Sequence, residues 1–381
     1  MTSKHNCSKS ASAKIDAMAL GMVPGVGSQT FRALIAHFGS ATQVWAAEKS
    51  ALQKVAGIGP TICQHLVNSH YFISLAHQEW EQATKKGIDI YILSEDNYPH
   101  RLRQIPDAPP VLFAYGPADL NPTYTVAIVG TRKATAYGKS FLDDFFQDIA
   151  PYHPTVVSGL AYGIDIYAHQ LALDYELPTI GVMASGMNII YPREHRAVAK
   201  EMVRQQGALL TESPLGIQPE AMLFPARNRI IAGMVDVVLV IEAMNSGGAL
   251  ITADLANQYD REVMALTGPY QASKSEGCHQ LIKSNKAHLL TDAEDLIQLM
   301  SWETQEEQKE KHVKMPDNLT LLEKEVFSFI SEKTTPVVID ELKLNFSHQL
   351  PLLSSSLLNL ELVGLIQKLP GGVFGAKGRV R

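Results

Sequence analysis

From residue 125 to about residue 300 the chain alternates short, wholly apolar runs with helix-length amphipathic ones, and few folds satisfy that pattern. The apolar runs fall at 126–129, 155–157, 179–184, 208–211, 235–241 and 263–266, with a shorter one near 287–290. Between the first two, Phe141, Leu142, Phe145, Phe146 and Ile149 share one helical face. A strand apolar on both sides must be covered on both sides, and strands joined by helices run parallel. The expected fold is therefore α/β, a doubly wound parallel sheet, and such sheets take ligands at the carboxyl ends of their strands.

That rule directs attention to the turns. The first apolar run leads into VGTRKATAYG, with Gly130, Thr131 and Arg132, and the second into SGLAYGID, with Ser158, Gly159 and Gly163. The third ends in ASGMNIIYPREH, where Tyr191, Pro192, Arg193 and His195 follow Gly186. Further on, VIEAMNSGGALITA sets Ser246, Gly247 and Gly248 before a helix. FPARNRIIAG places Arg227, Asn228 and Arg229 at the opening of an apolar helical run. Helix N-termini attract anions, arginine forks bond phosphate oxygens in pairs, and Phe224 with Pro225 offers a face for a base. For a lone RxR the plainer reading, arginines paired with acids over a core phenylalanine, is the more common one. Several glycine-rich turns at one sheet edge shift the balance toward a phosphate-friendly rim.

Composition removes other classes. With 381 residues, 46% of them hydrophobic, the chain can bury a full core and carry more than one domain. There is no apolar run long enough to span a bilayer, and the polar MTSKHNCSKSASAK opening lacks the apolar core of a signal peptide, so a cytoplasmic protein off the membrane is expected. Cys7, Cys63 and Cys278 are scattered singly, which disfavours disulfides and a zinc site. Neither a GxGxxG fingerprint nor a Walker lysine loop occurs, so no nicotinamide cofactor, nucleoside triphosphate or metal is expected. A formal net charge of −6 argues against a general histone-like binder and leaves local basic surfaces open.

The flanks read as separate modules. Residues 1–90 form short helices with a repeated turn: VPGVG at 23–27 and VAGIG at 55–59 each precede a helical pattern. This resembles a tandem helix-hairpin-helix module, whose turns can hold a phosphate; a plain helical packing module fits equally well, and lysine and arginine are sparse near both turns. A proline-rich bridge with a strand at 111–115 opens a main domain at 91–300, and a charged linker occupies 301–316. Within 317–381, helical patterns at 319–330, 338–344 and 350–363 precede two strand-like runs around a Pro-Gly-Gly turn, which suggests a winged helix. The terminal Lys368, Lys377, Arg379 and Arg381 have no acidic counterpart; a phosphate backbone or a protein could be the module's partner.

The run of VGTR, SGLAYGID, the YP after Gly186, TESPLG, FPARNRIIAG, VIEA and SGGALITA, in that order, resembles the DNA processing protein A family (DprA, also called Smf). The resemblance implies an extended Rossmann-like domain that binds single-stranded DNA, dimerises and loads the RecA recombinase during natural transformation. Carried over position by position, the family's DNA pocket would include Gly130, Thr131, Arg132, Ser158, Gly159, Ala161, Phe224, Arg227, Asn228 and Arg229. Two departures stand out. Some relatives carry a lysine three residues before the phenylalanine, where this chain has Ala221, and many have a glycine before Ala287, where it has Lys286.

A competing, enzymatic reading comes from nucleotide phosphoribohydrolases of related fold, which use a PGGxGT loop followed three residues later by a glutamate. The matching SGGALITAD stretch has Leu250 and Ile251 in place of the motif's glycine and threonine, and Asp254 in place of the glutamate. Asp165 and Glu242 are the remaining carboxylates near the rim, and such groups more often cap a helix or pair with an arginine than catalyse. A non-enzymatic role is the expectation.

Overall fold

A computed structural model describes residues 2–304, 319–333, 336–347, 350–369 and 372–376, with residues 2–10 as backbone alone. Most of the charged linker, the start of the Pro-Gly-Gly turn and the basic positions Lys377, Arg379 and Arg381 lie outside the described residues. The chain divides into two compact units, Met1–Met300 and Ser301–Arg381.

The first unit is built on a nine-stranded sheet: β1 (Asp89–Ile92), β2 (Val111–Tyr115), β3 (Thr125–Val129), β4 (Thr155–Gly159), β5 (Thr179–Val182), β6 (Ala208–Thr211), β7 (Val237–Val240), β8 (Glu262–Leu266) and β9 (His288–Leu290). Their spatial order is β1-β2-β6-β5-β4-β3-β7-β8-β9. The seven from β6 to β9 are parallel, and their interior strands are buried on both faces, which is why the sequence showed them as unbroken apolar runs. Strand order reverses between β3 and β7, so the topological switch point of this Rossmann-like sheet lies there.

Helices α8 (Ala136–Ile149), α9 (Ile164–Asp174), α10 (Arg196–Arg204), α11 (Leu223–Gly233), α12 (Gly248–Gln258), α13 (Glu276–Lys283) and α14 (Ala293–Met300) connect or follow the strands. The sheet departs from the expected all-parallel form at one edge. There β2 pairs antiparallel with β6, and β1, which the sequence pattern did not reveal, pairs antiparallel with β2. The proline-rich bridge, with α7 (His100–Gln104) between its strands, thus extends the sheet rather than merely leading into it.

Helices α1 (Thr2–Gly21), α2 (Ser28–Phe38), α3 (Ala41–Ala46), α4 (Lys49–Leu52), α5 (Pro60–Val67) and α6 (Ser69–Lys85) precede the sheet. The two repeated turns stand before α2 and α5, and each uses a glycine at positive φ, Gly25 and Gly57. The helical segment and the sheet, separated at residue 90 in the sequence reading, share one hydrophobic cluster running from Ile15 and Met18 through Ile92 and Leu112 to Val238. Polar contacts follow the same seam: Arg32 Nη2 donates to the Arg103 carbonyl at 2.6 Å.

The second unit has helices at Leu321–Glu332, Ile339–Asn345 and Leu350–Leu362 and a three-stranded antiparallel sheet, β10 (Val337–Val338), β12 (Val373–Ala376) and β11 (Ile366–Leu369) in that order. Its own cluster includes Val326, Phe327, Leu342, Leu357 and Ile366. Thr320 and Glu323 form a reciprocal capping box at the first helix, which sets its start.

Candidate functional site

The carboxyl ends of β3, β4 and β5, with the first turn of α11, line an open pocket. Its lining includes Arg132, Ala161, Tyr162, Tyr191, Phe224 and Arg227, backed by Leu160, Ala184, Ser185, Pro192 and Pro219. Two guanidiniums and three rings therefore face one concavity. Arg132 is exposed, with its Cζ 5.6 Å from the centre of the Phe224 ring. Tyr191 also meets that phenylalanine, at 5.8 Å between ring centres and tilted to it. Tyr162 is held by its hydroxyl, which donates to Glu194 Oε2 at 2.9 Å, and by an edge contact with His195. His195 is itself fixed by an Nδ1 hydrogen bond to the Leu160 carbonyl at 2.7 Å.

Glycines let the loops close on one another. Gly163 lies at φ +81°, and a Cβ there would sit 2.2 Å from the Thr131 carbonyl, so only glycine lets the turn after β4 pack on the turn after β3. The Ile164 N–H then donates to that same carbonyl at 3.2 Å. At Gly159 a Cβ would lie 2.6 Å from Asp165 Oδ2 and 2.7 Å from Arg227 Nη2. The carboxylate and the guanidinium face each other over that bare backbone.

Asp165 and Glu242 turn out to serve as internal anions. Asp165 lies in the first turn of α9, buried, where the backbone N–H groups of Ala161 and Gly130 and the charge of Arg227 favour its ionised form. Burial outweighs them and pushes its pKa up to about 6; the same burial pulls Arg227 down to about 10. Glu242 caps α8: it accepts from the Thr135 N–H at 2.8 Å and the Thr135 hydroxyl at 2.6 Å. The helix termini that hold phosphates in dinucleotide-binding folds are here filled by carboxylates of the chain itself.

Of the residues singled out in the sequence, Arg132, Ala161, Phe224 and Arg227 line the pocket, and Gly130 and Gly159 lie beneath it as close-packed backbone. The others are turned elsewhere. Ser158 ends up inside the sheet, because β4 runs two residues further than its apolar pattern; its hydroxyl donates to the Ile128 carbonyl at 2.6 Å. Thr131 is spent on its own turn, accepting from the Lys133 N–H. Asn228 accepts from Arg227 Nε and donates to the Gly248 carbonyl at 3.2 Å, which locks α11 to α12. Arg229 points to the far side of α11, where it bonds the Asp107 carbonyl and pairs with Glu212. Arg227 also donates to the Val182 carbonyl at the end of β5, so its guanidinium is anchored as well as aimed.

The pocket's tyrosines were the residues that sequence reasoning undervalued. Tyr162 stands between two glycines of the SGLAYGID turn and Tyr191 before a proline, and both are exposed rings on loops above a sheet edge. Their position after a strand end was the available signal. Asp254, where the hydrolase motif has its glutamate, is ion-paired with Lys286 at 2.8 Å. Among the described residues no group of three or more His, Cys, Asp or Glu side chains could hold a metal ion, and no helix is long and apolar enough to cross a membrane.

The Smf protein of Synechocystis sp. is 30% identical over 387 residues, covering 93% of this chain and 96% of that protein. The crystal structure of DNA processing protein A from Streptococcus pneumoniae superposes with a TM-score of 0.64 at 28% identity, over 77% of this chain and 98% of that one. DNA processing protein A from Helicobacter pylori, solved for its single-stranded DNA binding mode, matches with a TM-score of 0.51 at 28% identity, over 57% of this chain and 97% of that one. The model of the DNA recombination-mediator protein A family matches residues 89–301, and the chain belongs to that family.

Proposed function

We propose that the pocket binds single-stranded DNA without sequence preference, and that the protein acts as a binder in DNA processing during natural transformation rather than as an enzyme. One observation carries this: Arg132 and Arg227 share a concavity with the exposed or half-exposed rings of Tyr162, Tyr191 and Phe224. Stacking takes any base, and cations take the backbone. Duplex DNA keeps its bases paired and out of reach of such rings. Carboxylates at Asp165 and Glu242 occupy backbone donors where a dinucleotide or triphosphate would ordinarily sit, which favours strand binding that needs no nucleotide; independence of metal is part of the same proposal, checked by binding in excess chelator. Asp254, at the position of the hydrolase motif's glutamate, is ion-paired with Lys286 outside the pocket lining, which favours the binding reading over the hydrolase one.

The Smf/DprA resemblance adds a role. The strand held on the rim is handed to the RecA recombinase in the cytoplasm, with the protein working as a homodimer. On α13 and α14, Leu281 and Leu296 are buried and Ile282 packs against the chain's own core, so the half-buried Ile297 and Leu299 are the apolar positions left for a partner copy. The flanking helical module resembles helix-hairpin-helix pairs, and the second unit, three helices with a small sheet, resembles a winged helix.

Fluorescence anisotropy with oligonucleotides of one length, single-stranded and duplex, tests the reading. Single strands should bind more tightly, and Arg132→Ala should weaken them by about tenfold or more, the scale of one charge-assisted contact of roughly 1.5–3 kcal/mol. Arg229→Ala, on the far side of α11, should lower the melting temperature and leave affinity nearly unchanged. Equal binding of both DNA forms, or equal effects of the two substitutions on affinity, would count against it.

A further inference from the structure

The pocket occupies only one half of the rim. The turn between β7 and α12, with Ser246, Gly247 and Gly248, lines none of it. Yet two connections carry the surface past the switch point. On one side Asn228, next to Arg227, bonds the Gly248 carbonyl at 3.2 Å. On the other, Lys274 Nζ donates to the carbonyl of Lys133, the neighbour of Arg132, at 2.6 Å, and the Lys274 carbonyl accepts from the Ala243 N–H at 2.7 Å. The loops after β3, β7 and β8 are thereby stitched into a continuous ledge.

What that ledge displays matches the pocket in kind. Tyr270 is 83% exposed, far more than an aromatic ring needs to be in order to close a loop, and Met244 and Ile251 are exposed with it. Lys133 and Lys274 take part in no ion pair among the described residues. Lys274 spends one of its three N–H donors on the Lys133 carbonyl and keeps two for an anion. At Gly247 a Cβ would meet nothing within 4 Å, so the backbone between ledge and pocket lies bare to an approaching strand. The carboxylate of Glu276 accepts a hydrogen bond from Asn245 Nδ2, in the turn after β7, at 2.6 Å, and Glu242 is buried against α8.

We infer that the β7–β8 ledge is a second contact site for the same single strand, with a base stacked on Tyr270 and phosphates held by Lys274 and Lys133. This rests on the single-strand reading of the pocket and extends it across the switch point. A strand long enough to fill both halves then gains affinity that a pocket-length strand cannot.

The test uses the full chain and labelled oligothymidines of about four and about twelve nucleotides, spanning the range of small single-strand sites. Tyr270→Ala should weaken the longer oligonucleotide by about tenfold and leave the shorter one within about twofold, on the scale of one stacked base. Lys274→Gln should do the same; its amide still donates to the Lys133 carbonyl, so loss of the charge is separated from loss of the loop. Both ledge variants binding the longer strand like the parent protein, while Arg132→Ala fails on both lengths, would overturn the ledge and leave the pocket standing. If the parent protein binds neither oligonucleotide, the pocket reading falls and the ledge with it.

Discussion

Arg227 and Asp165 face each other over Gly159 in a region stripped of solvent, and each has its ionisation suppressed by burial. That arrangement makes the pocket's charge conditional. With Asp165 ionised, its negative charge offsets the guanidinium; with Asp165 protonated, Arg227 is uncompensated and the pocket is more cationic. The folded-state pKa of about 6 lies above the ordinary value of 3.8, so the native state holds this proton more tightly than the unfolded chain does. The group's contribution to stability is therefore complete below about pH 4 and is lost as pH rises through about 6. Asp165→Asn removes the titration, and denaturant midpoints measured from pH 4 to 7 should fall less steeply with rising pH in the variant than in the parent. Identical slopes would show that Asp165 titrates normally. The same scale explains what the sequence concealed. In RNR the two arginines are two residues apart, which on a helix places them about 200° apart at 3.6 residues per turn, so Arg227 and Arg229 could never serve one site. Ser158 was misleading for a different reason: a serine before a glycine reads as a turn, but its hydroxyl supplies a bond to Ile128 that keeps the residue within the sheet.

Among the elements, the strands were legible wherever both faces are buried, as in 237–240 and 263–266, because burial on both sides leaves no polar alternation. β1 escaped because DIYI is short, half-polar and pressed directly behind α6. Least legible was the link between the helical segment and the pocket, which depends on contacts distant in sequence. Glu79 on α6 is buried and accepts from the Leu215 N–H at 2.7 Å, with burial raising its pKa against that bond. The adjoining Gly216 N–H donates to Asn188 Oδ1, and Ile217 accepts from the Gly186 N–H, so α6 braces the two loops that bring Ala184, Ser185 and Pro219 to the pocket. Glu79→Ala should leave the Leu215 amide without its partner, cost about 1–3 kcal/mol, and weaken oligonucleotide binding several-fold despite the distance from any strand. Glu79→Gln keeps an acceptor oxygen and should retain most of both. If Glu79→Ala binds as well as the parent, the helical segment does not support the pocket, whatever its melting temperature.

At the scale of the whole molecule, a net charge of −6 with a cationic rim means that attraction is local. Binding that engages about four cations, Arg132, Arg227, Lys133 and Lys274, should show a log–log salt slope near −3, from roughly −0.7 per phosphate contacted on a single strand. Among the described residues of the second unit, Lys324 and Lys368 are the cations outside any ion pair. Lys333 and Lys343 are already paired with Glu341 and Asp340, and helix Leu350–Leu362 carries no lysine or arginine on any face. Its outward side instead shows Leu352, Leu358 and Leu362 to solvent, a surface suited to protein and poorly suited to phosphate. Because this unit has its own hydrophobic cluster, removal of residues 305–381 should leave the first unit folded, with single-strand affinity within about twofold and an unchanged salt slope. Recombinase filament formation on DNA already coated by single-strand-binding protein should be accelerated by the full chain and less so by the truncated one, if the leucine face is where a protein partner docks. A truncated protein whose salt slope drops by one or more would place strand contacts in the second unit. Equal acceleration by both forms would move the partner's site to the first.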